Sequence, residues 1–353
     1  MMYPLKFDPT YKNYLWGGRE LEKLGKVLPE GIIAESWEIS SHPDGVSTVA
    51  NGEYKGVPLS ELVEKLGRDL VGKDLPEKDV EKFPLLIKLI DANDKLSVQV
   101  HPEDEYAKVN ENGELGKNEM WYIVSAKPGS KLCYGLAAGV TRKDFENAVK
   151  AENIESCLNF IEVSAGDVVN IPAGFVHAIG AGIVIAEIQQ NSNTTYRVYD
   201  YNRADKEGKT RPLHIEKALE VIDFREKKGN AKTTGLKINF DINSKKTHLI
   251  ANKYFSVEKY EINGTVDEMA DGSKFHIYVF MDGCGEIVYH AGNVKVSRGE
   301  SVLIPASLGK YSLNGHFTAL KTYLPDLEKD VIEPLKLVGY TEEEIFENVD
   351  GLK

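Results

Sequence analysis

The segment from Gly166 to Gly180 constrains the fold of this 353-residue chain more than any other stretch. It reads Gly-Asp-Val-Val-Asn-Ile-Pro-Ala-Gly-Phe-Val-His-Ala-Ile-Gly. The mostly apolar run Val168–Ile171 predicts a short buried strand that Pro172 ends, because proline has no backbone donor. Gly174 allows a tight bend, and a second strand then begins at His177. The pattern is typical of a histidine held by a rigid strand just after a corner. A core or surface histidine beside an ordinary turn is the alternative.

The same pattern returns in the C-terminal part of the chain. Gly299–Ala306 (Gly-Glu-Ser-Val-Leu-Ile-Pro-Ala) repeats Gly166–Ala173 position by position, which indicates an internal repeat. Five residues after the repeated proline stands Lys310 instead of a histidine, and Ser307 takes the place of the bending glycine. We therefore expect two related β-barrels, of which only the first keeps metal chemistry.

Most of the chain outside the repeat reads as short strands separated by Gly, Pro and Asn. A stretch rich in Lys, Gly and Thr near residues 226–237 looks like a linker. The pattern predicts a mainly β protein with helical insertions, a catalytic domain at residues 1–236, and a second β domain with its tail at residues 237–353. Helices are predicted at Leu59–Val71, after the capping boxes that begin at Thr141 and Thr341, and near Ile215–Asp223.

Composition excludes several classes of function. A net charge of -12 argues against nucleic acid, since phosphate backbones need a basic face. It does not exclude a small anionic substrate, which one or two buried cationic side chains can hold. No apolar run approaches the length of a membrane span, and the N-terminus does not resemble a signal peptide. The three cysteines form no CxxC pair, so we expect a cytoplasmic protein.

Four potential metal ligands stand on the predicted strands. Gln99 and His101 alternate with two valines, so both point to the same strand face. Glu119 begins the next strand, and His177 follows the corner described above. Two imidazoles, a carboxylate and an amide oxygen suit zinc, but also manganese, iron, nickel or cobalt.

These motifs resemble known families. The spacing Gly-x5-Pro-x-Gly-x2-His resembles the second motif of the cupin β-barrels, in which the histidine is a metal ligand. The combined pattern resembles the type I mannose-6-phosphate isomerases, in their shorter bacterial form, over roughly residues 4–325. The stretches that carry this resemblance are Pro84–Pro102, Lys117–Trp121, Gly166–His177, Glu187–Arg203 and, more weakly, Trp16–Gly18 and Glu35–Trp37.

The resemblance implies a fold of two cupin (jelly-roll) β-barrels, the second degenerate and metal-free. It also implies a metal-dependent enzyme, with one zinc per chain, that interconverts mannose 6-phosphate and fructose 6-phosphate through an enediol. The residues it implies as zinc ligands are Gln99, His101, Glu119 and His177, and those it implies for the active site are Arg197, Lys117 and Lys88. In longer family members His-Lys-Pro-Glu replaces Gly116–Glu119, and many members have Asp at Asn193.

The reaction suggests a role for each active-site residue. A metal and the guanidinium of Arg197 would stabilise charge on the sugar oxygens. Lys117 is the candidate general acid/base, because a lysine beside a cation loses its proton more easily. Glu187 and a water molecule on the metal are alternatives that the sequence does not rank. Lys88 would contact the phosphate or a sugar hydroxyl.

Two other functions compete with this one. The first is a different metal-dependent cupin enzyme, such as an oxygenase or epimerase, which the metal identity would reveal. The second is a non-catalytic cupin paralogue that binds a sugar phosphate, which a turnover assay would reveal. The partner we expect is a small hexose 6-phosphate, with no nucleic acid or membrane. A monomer and a homodimer both remain open.

Overall fold

The structure is a computed structural model that describes residues 2–204, 207–226 and 230–352. Part of the predicted linker, residues 227–229, lies outside the described residues. In the N-terminal part, the strands are β1 (Leu5–Asp8), β2 (Thr10–Lys12), β3 (Glu35–Ile39), β4 (Thr48–Val49), β5 (Leu85–Ala92), β6 (Val98–Val100), β7 (Glu119–Ala126), β8 (Lys131–Leu136), β9 (Leu158–Glu162), β10 (Val168–Ile171), β11 (His177–Ile179), β12 (Ile183–Gln190) and β13 (Tyr196–Tyr199).

The C-terminal part contains longer strands. They are β14 (Leu236–Asn239), β15 (Lys245–Ala251), β16 (Ser256–Ala270), β17 (His276–Tyr289), β18 (Gly292–Ser297), β19 (Ser301–Ile304) and β20 (Gly309–Tyr323). The α-helices are α1 (Leu59–Leu66), α2 (Arg68–Val71), α3 (Glu77–Glu81), α4 (Asp104–Asn110), α5 (Arg142–Lys150), α6 (Ile215–Val221), α7 (Glu333–Leu337) and α8 (Glu342–Asn348). Short 3-10 helices span Glu20–Leu24 and Ile154–Cys157, and a π-helical turn spans Glu328–Ile332.

The strands form three sheets. One sheet has the order β10-β7-β12-β5-β3-β2, and a second has the order β13-β6-β11-β8-β9. The third has the order β14-β15-β16-β20-β17-β19-β1-β4, with β18 paired to β17. The mainly β class is thus confirmed. None of these sheets closes into a barrel within the described residues. The first two sheets form an open sandwich, and the C-terminal strands belong to one nine-stranded sheet.

The first two sheets face each other across an apolar interior. Trp121 and Ile123 of β7 contribute to it from one side, and Leu132 of β8 and Ile179 of β11 from the other. The outer face of β7, β12 and β5 packs on a second core that is shared with the C-terminal sheet. Strands β5 and β12 are buried at every position because both of their faces are covered.

The alternation predicted for β6 is confirmed. The two valines, Val98 and Val100, pack under α5 and α6 with Phe145 and Ala218. Gln99, between them, faces the opposite way, toward the sandwich interior. The strand period of two thus separates structural from polar positions here.

The helix predictions hold with one exception. The capping boxes of Thr141 and Thr341 are both present, at the starts of α5 and α8. The exception is the predicted helix Leu59–Val71, which consists of two helices, α1 and α2. Gly67 separates them because its backbone, with φ +50 and ψ −127, is not helical. Among the described residues, every helix is too short or too polar to cross a lipid bilayer.

The two halves of the chain share one core. Strand β1 pairs with β19, with Leu5 opposite Leu303, so the N-terminus completes the C-terminal sheet. Leu85 of β5 and Phe275 before β17 belong to the same buried cluster. The division into domains at residues 1–236 and 237–353 remains a proposal. Two such units would share both a sheet and a buried apolar cluster.

Candidate metal centre

Three buried side chains meet between the first two sheets. His101 follows β6, Glu119 begins β7, and His177 begins β11. All three are at most 1% exposed, and one ligand atom from each lies within 4.8 Å of the others. The sequence places them on separate strands, and antiparallel pairing of β11 with β6 brings His177 beside Gln99 and the adjacent His101.

The ligand atoms converge on the Glu119 carboxylate. His101 Nε2 lies 3.1 Å from Glu119 Oε1, and His177 Nε2 lies 3.9 Å from Glu119 Oε2. His101 Nε2 is buried and has no aligned hydrogen bond among the described atoms, and Glu119 Oε1 has only the Lys117 ammonium, 2.9 Å away, as an ion-pair partner besides the imidazole. Buried polar atoms of this kind normally find a partner. A cation is a partner that suits all three side chains.

Backbone carbonyls orient both imidazoles. The Nδ1–H of His101 donates to the carbonyl of Thr194 at 2.9 Å, and that of His177 donates to the carbonyl of Phe175 at 2.7 Å. Each Nε2 is therefore left with a lone pair directed into the group, which is how metal-binding histidines are held.

Burial favours the charge states that a metal requires. Desolvation lowers the pKa of His101 to about 3, helped by the Lys117 charge, and desolvation also lowers the pKa of His177. Burial alone would raise the pKa of Glu119, but the Lys117 charge beside it lowers the pKa well below its usual range. The group is thus two neutral imidazoles and a carboxylate at neutral pH.

Gln99 and Lys117 complete the inner part of the site. The Nε2 atoms of Gln99 and His177 lie 3.4 Å apart, and Lys117 Nζ lies 2.9 Å from Glu119 Oε1. Lys117 is 4% exposed. The structure therefore brings together all four predicted ligands and the predicted acid/base residue.

A buried ion pair lies beside this group. Lys88 Nζ is 3.1 Å from Glu187 Oε1 and 3.8 Å from Glu35 Oε2. The Trp121 indole donates to both Glu187 and Glu119, at 2.9 and 3.0 Å, and so links the pair to the candidate ligands. Burial and the Glu119 charge raise the pKa of Glu187 to about 7. Burial opposes the charge of Lys88, but Glu187 and Glu35 raise the pKa of its ammonium.

A cavity of about 310 Å³ leads from this group to the surface. Five of the predicted site residues line this cavity: Gln99, Lys117, His177, Lys88 and Arg197. The other two, His101 and Glu119, do not line it. Four larger cavities, of about 350, 540, 560 and 630 Å³, are also lined by described residues, but none contains His101, Glu119 or His177. The chemistry therefore points to the smaller cavity.

Arg197 lies in the outer part of the cavity. Its Nε donates to Ser97 Oγ at 3.1 Å, and its Nη1 donates to the Pro212 carbonyl at 3.1 Å. Asn193, where many family members have Asp, instead donates to Asp44 at 2.7 Å. No hydrogen bond joins Asn193 to Arg197 within the described part of the chain.

Several cavity residues were not predicted from the sequence. Trp121 and Glu35 lie in stretches that carry the family resemblance, but neither has a predicted role, and Arg211 and His214 lie outside those stretches. Cross-strand register places Trp121 opposite Glu187, and register is not visible in one sequence. The stretches Lys117–Trp121 and Glu35–Trp37 were the available signals.

Known proteins resemble this chain over most of its length. Residues 4–128 match the family model described as phosphomannose isomerase type I, catalytic domain, and residues 244–324 match the model described as mannose-6-phosphate isomerase, cupin domain. The mannose-6-phosphate isomerase ManA of Bacillus subtilis is 38% identical over 91% of this chain and 99% of its own length. The mannose-6-phosphate isomerase of Streptococcus mutans is 37% identical over 92% and 99%.

Solved structures agree with the fold. The crystal structure of the mannose 6-phosphate isomerase from Bacillus subtilis superposes with a TM-score of 0.83 at 35% identity, covering 90% of this chain and 99% of that one. A putative mannosephosphate isomerase from Archaeoglobus fulgidus superposes with a TM-score of 0.72 at 22% identity, covering 92% and 97%. The second likeness concerns the fold alone.

Proposed function

This chain belongs to the type I phosphomannose isomerase family, and we propose that it interconverts mannose 6-phosphate and fructose 6-phosphate with a zinc ion held by His101, Glu119, His177 and Gln99. The family relationship confirms the resemblance seen in the motifs. The observation that carries the metal proposal is the convergence of two imidazoles, each with its Nδ1–H held by a backbone carbonyl, on one buried carboxylate, with His101 Nε2 left without a hydrogen bond among the described residues.

The donor set fits zinc. Two neutral imidazoles and one carboxylate are the protein ligands of many catalytic zinc sites, and the Gln99 amide supplies a weaker oxygen. Zinc bound there would supply positive charge that stabilises charge developing on the oxygens of the open-chain sugar. Other borderline metals suit the same donors, so the metal must be measured.

Lys117 is the proposed acid/base. Its ammonium nitrogen is buried, lies 2.9 Å from Glu119 and borders the cavity, so it can reach a substrate atom there without competition from bulk water. In the proposed reaction the side chain acts as a neutral amine, which takes the proton from one of the two carbons to become an ammonium and then returns that proton to the other carbon. Glu187 remains the alternative, since it lines the same cavity.

Arg197 and Lys88 have separate proposed roles. Arg197 supplies permanent positive charge to the outer part of the cavity, where it is held by Ser97 and Pro212. Lys88 is enclosed by Glu187 and Glu35 and is 3% exposed, which favours contact with a sugar hydroxyl over contact with a phosphate. We also propose a cytoplasmic location, in keeping with three free cysteines.

Turnover and metal content tested together would decide between the functions. The experiment measures conversion of mannose 6-phosphate, with metal by mass spectrometry, in the wild type, in His177→Ala, and in the exposed-histidine control His290→Ala. We expect the wild type and His290→Ala to convert mannose 6-phosphate and to hold about one zinc per chain. His177→Ala should lose both the turnover and the zinc. Zinc without turnover on any hexose phosphate would indicate a non-catalytic binding protein. Iron or manganese with oxygen consumption would indicate another cupin enzyme.

A further inference from the structure

Lys117, the proposed acid/base, lies just outside the sheet to which its neighbours belong. Strand β7 begins at Glu119, which pairs with Ile171 of β10 on one side and with Gln189 of β12 on the other. Glu119 is thus held from both sides, whereas residues 114–118 form neither helix nor strand. The backbone at Lys117 therefore needs another source of order if its side chain is to stay beside the cavity.

Backbone pairing with β10 stops here because of a proline. The register between β7 and β10 would set Asn118 opposite Pro172, which has no backbone N–H. The Asn118 side chain replaces the missing bond, since its Oδ1 accepts from the backbone amide of Ala173 at 3.0 Å. A side-chain bond thus extends the connection between β7 and the corner after β10 by one residue.

The same side chain is bound to β12 on its other side. Asn118 Nδ2 donates to Gln190 Oε1 at 2.8 Å, and the Asn118 backbone amide donates to that oxygen at 3.0 Å. Gln190 is buried, and its Nε2 donates in turn to Asp104 Oδ1 at 2.9 Å. The same Asp104 oxygen accepts from the Gly116 amide at 2.8 Å. The residues on both sides of Lys117 therefore belong to one hydrogen-bond network.

Asn118 and Lys117 line different cavities. Lys117 lines the metal cavity, whereas Asn118 lines the cavity of about 630 Å³. Successive side chains of an extended segment point to opposite sides, so the amide lies behind the lysine. A side chain at Gly116 would not fit, because its Cβ would lie 2.4 Å from the Asp104 amide nitrogen. The segment can therefore shift little while these contacts are intact.

We propose that Asn118 is a positioning residue for Lys117. By binding Ala173 on one side and Gln190 on the other, its amide fixes the backbone from which the lysine reaches the cavity. The inference rests on the proposed function, in which Lys117 moves the proton. Misplacement of a reacting group by about 1 Å can lower a rate on the order of a hundredfold, so these two bonds matter for catalysis although neither touches the substrate. Glu119 depends on Asn118 less, since β10 and β12 both hold it.

The test compares Asn118→Ala with Asn348→Ala. Asn348 lines the same 630 Å³ cavity, but its side chain donates to the Glu344 carbonyl of its own helix, α8. In Asn118→Ala we expect kcat for mannose 6-phosphate to fall roughly ten- to a hundredfold, with little change in KM and with zinc content unchanged. Asn348→Ala should match the wild type in kcat, KM and zinc content.

A double variant separates positioning from a general loss of structure. If Asn118 acts through Lys117, Asn118→Ala should lower kcat in the wild type but not in Lys117→Gln, from which the lysine is already absent. Gln190→Ala removes the acceptor of two Asn118 donors and should give a similar fall in kcat, so it replaces Asn118→Ala if that variant does not fold. Losses that multiply in the double variant would show an effect on the whole fold and overturn the proposal. An unchanged kcat in Asn118→Ala would overturn it as well.

Hydrogen exchange tests the position of the segment without catalysis. The Lys117 backbone amide donates to the Pro102 carbonyl at 3.0 Å. In Asn118→Ala this amide and that of Gly116 should exchange roughly tenfold faster than in the wild type, while the amides of β7 keep their protection. If the wild type has no isomerase activity, the proposed function fails, and the exchange pattern alone decides whether Asn118 holds the segment. Unchanged exchange at both amides would show that it does not.

Discussion

His177 lies directly opposite Gln99 across the antiparallel pair β11–β6, with 3.4 Å between their Nε2 atoms. The Nδ1–H of His177 is already committed to the Phe175 carbonyl, so its Nε2 accepts the amide hydrogen of Gln99. Gln99 therefore occupies the lone pair that a metal would use. Rotation of the amide would instead present its oxygen, since the nitrogen and oxygen ends have the same shape.

The first prediction concerns Gln99 as a ligand. Gln99→Ala should retain the fold and weaken zinc binding on the order of ten- to a hundredfold, while His177→Ala should abolish stoichiometric binding, because an amide is a weaker ligand than an imidazole. Zinc retention against a competing chelator measures both. Gln99→Ala that holds zinc as tightly as the wild type would exclude Gln99 from the ligand set.

The second prediction concerns the buried pair of Lys88 and Glu187. Lys88→Met should lower the free energy of unfolding by about 3–5 kcal/mol, since it leaves Glu187 buried without its partner. Glu187→Gln should also destabilise, and the double variant should lose clearly less than the sum of the two. Urea unfolding of the four proteins gives the coupling. Additive losses would show that the two side chains do not stabilise each other.

Local patterns in the sequence were enough to predict much of the site. The period of two along β6 fixed the common face of Gln99 and His101, and the Gly-Pro-Gly corner fixed the start of β11 at His177. Capping boxes placed the starts of α5 and α8. In each case the determining interaction lies within a few residues of the chain.

Long-range relationships were not predictable in this way. The pairing of β1 with β19 joins residues about 300 positions apart, and the partnership of Lys88 with Glu187 depends on the register of β5 and β12. Whether the sheets close into barrels depends on how the strands pack in space as well as on where each strand lies in the sequence. The break of the Leu59–Val71 helix follows from one conformation of Gly67, which a helical pattern tolerates at modest cost.

The third prediction concerns Lys117 as the acid/base. Lys117→Gln should lower kcat on the order of 10²- to 10⁴-fold, the usual contribution of a positioned proton donor, with zinc content unchanged. Lys108→Gln, at an exposed position of α4, is the matched control and should keep wild-type kcat. A kcat for Lys117→Gln within a few-fold of the control would transfer the acid/base role to Glu187.

The C-terminal sheet also buries ionisable groups. His248 of β15 lies opposite Glu258 of β16, with Nε2 3.3 Å from Glu258 Oε1, and both side chains are fully buried. Lys246 and Lys321 face the same group. Burial lowers the pKa of His248 from 6.5 to about 4, and Lys246, His248 and Lys321 lower the pKa of Glu258 despite its burial.

The fourth prediction follows from the sign of the His248 shift. In the unfolded chain His248 binds a proton below pH 6.5, whereas in the folded protein it binds one only below about pH 4. The contribution of His248 to the free energy of unfolding is therefore fully present above pH 6.5 and is lost as the pH falls from 6.5 to about 4. One such group contributes about 1.4 kcal/mol per pH unit. Glu258 adds to the loss only below its unfolded value of 4.5, so measurements at about pH 7.5 and 5 exclude its contribution.

The fall in melting temperature between these two pH values should therefore be smaller in His248→Gln than in the wild type, by a few degrees. Each protein is compared with itself at the two pH values, so any direct cost of the glutamine cancels. Buried His101, His177 and His276, whose pKa values are also lowered by desolvation, leave part of the fall in place. His290→Gln, at an exposed position, should show the full wild-type fall. An equal fall in all three proteins would mean that His248 takes up its proton in the folded state as readily as in the unfolded chain.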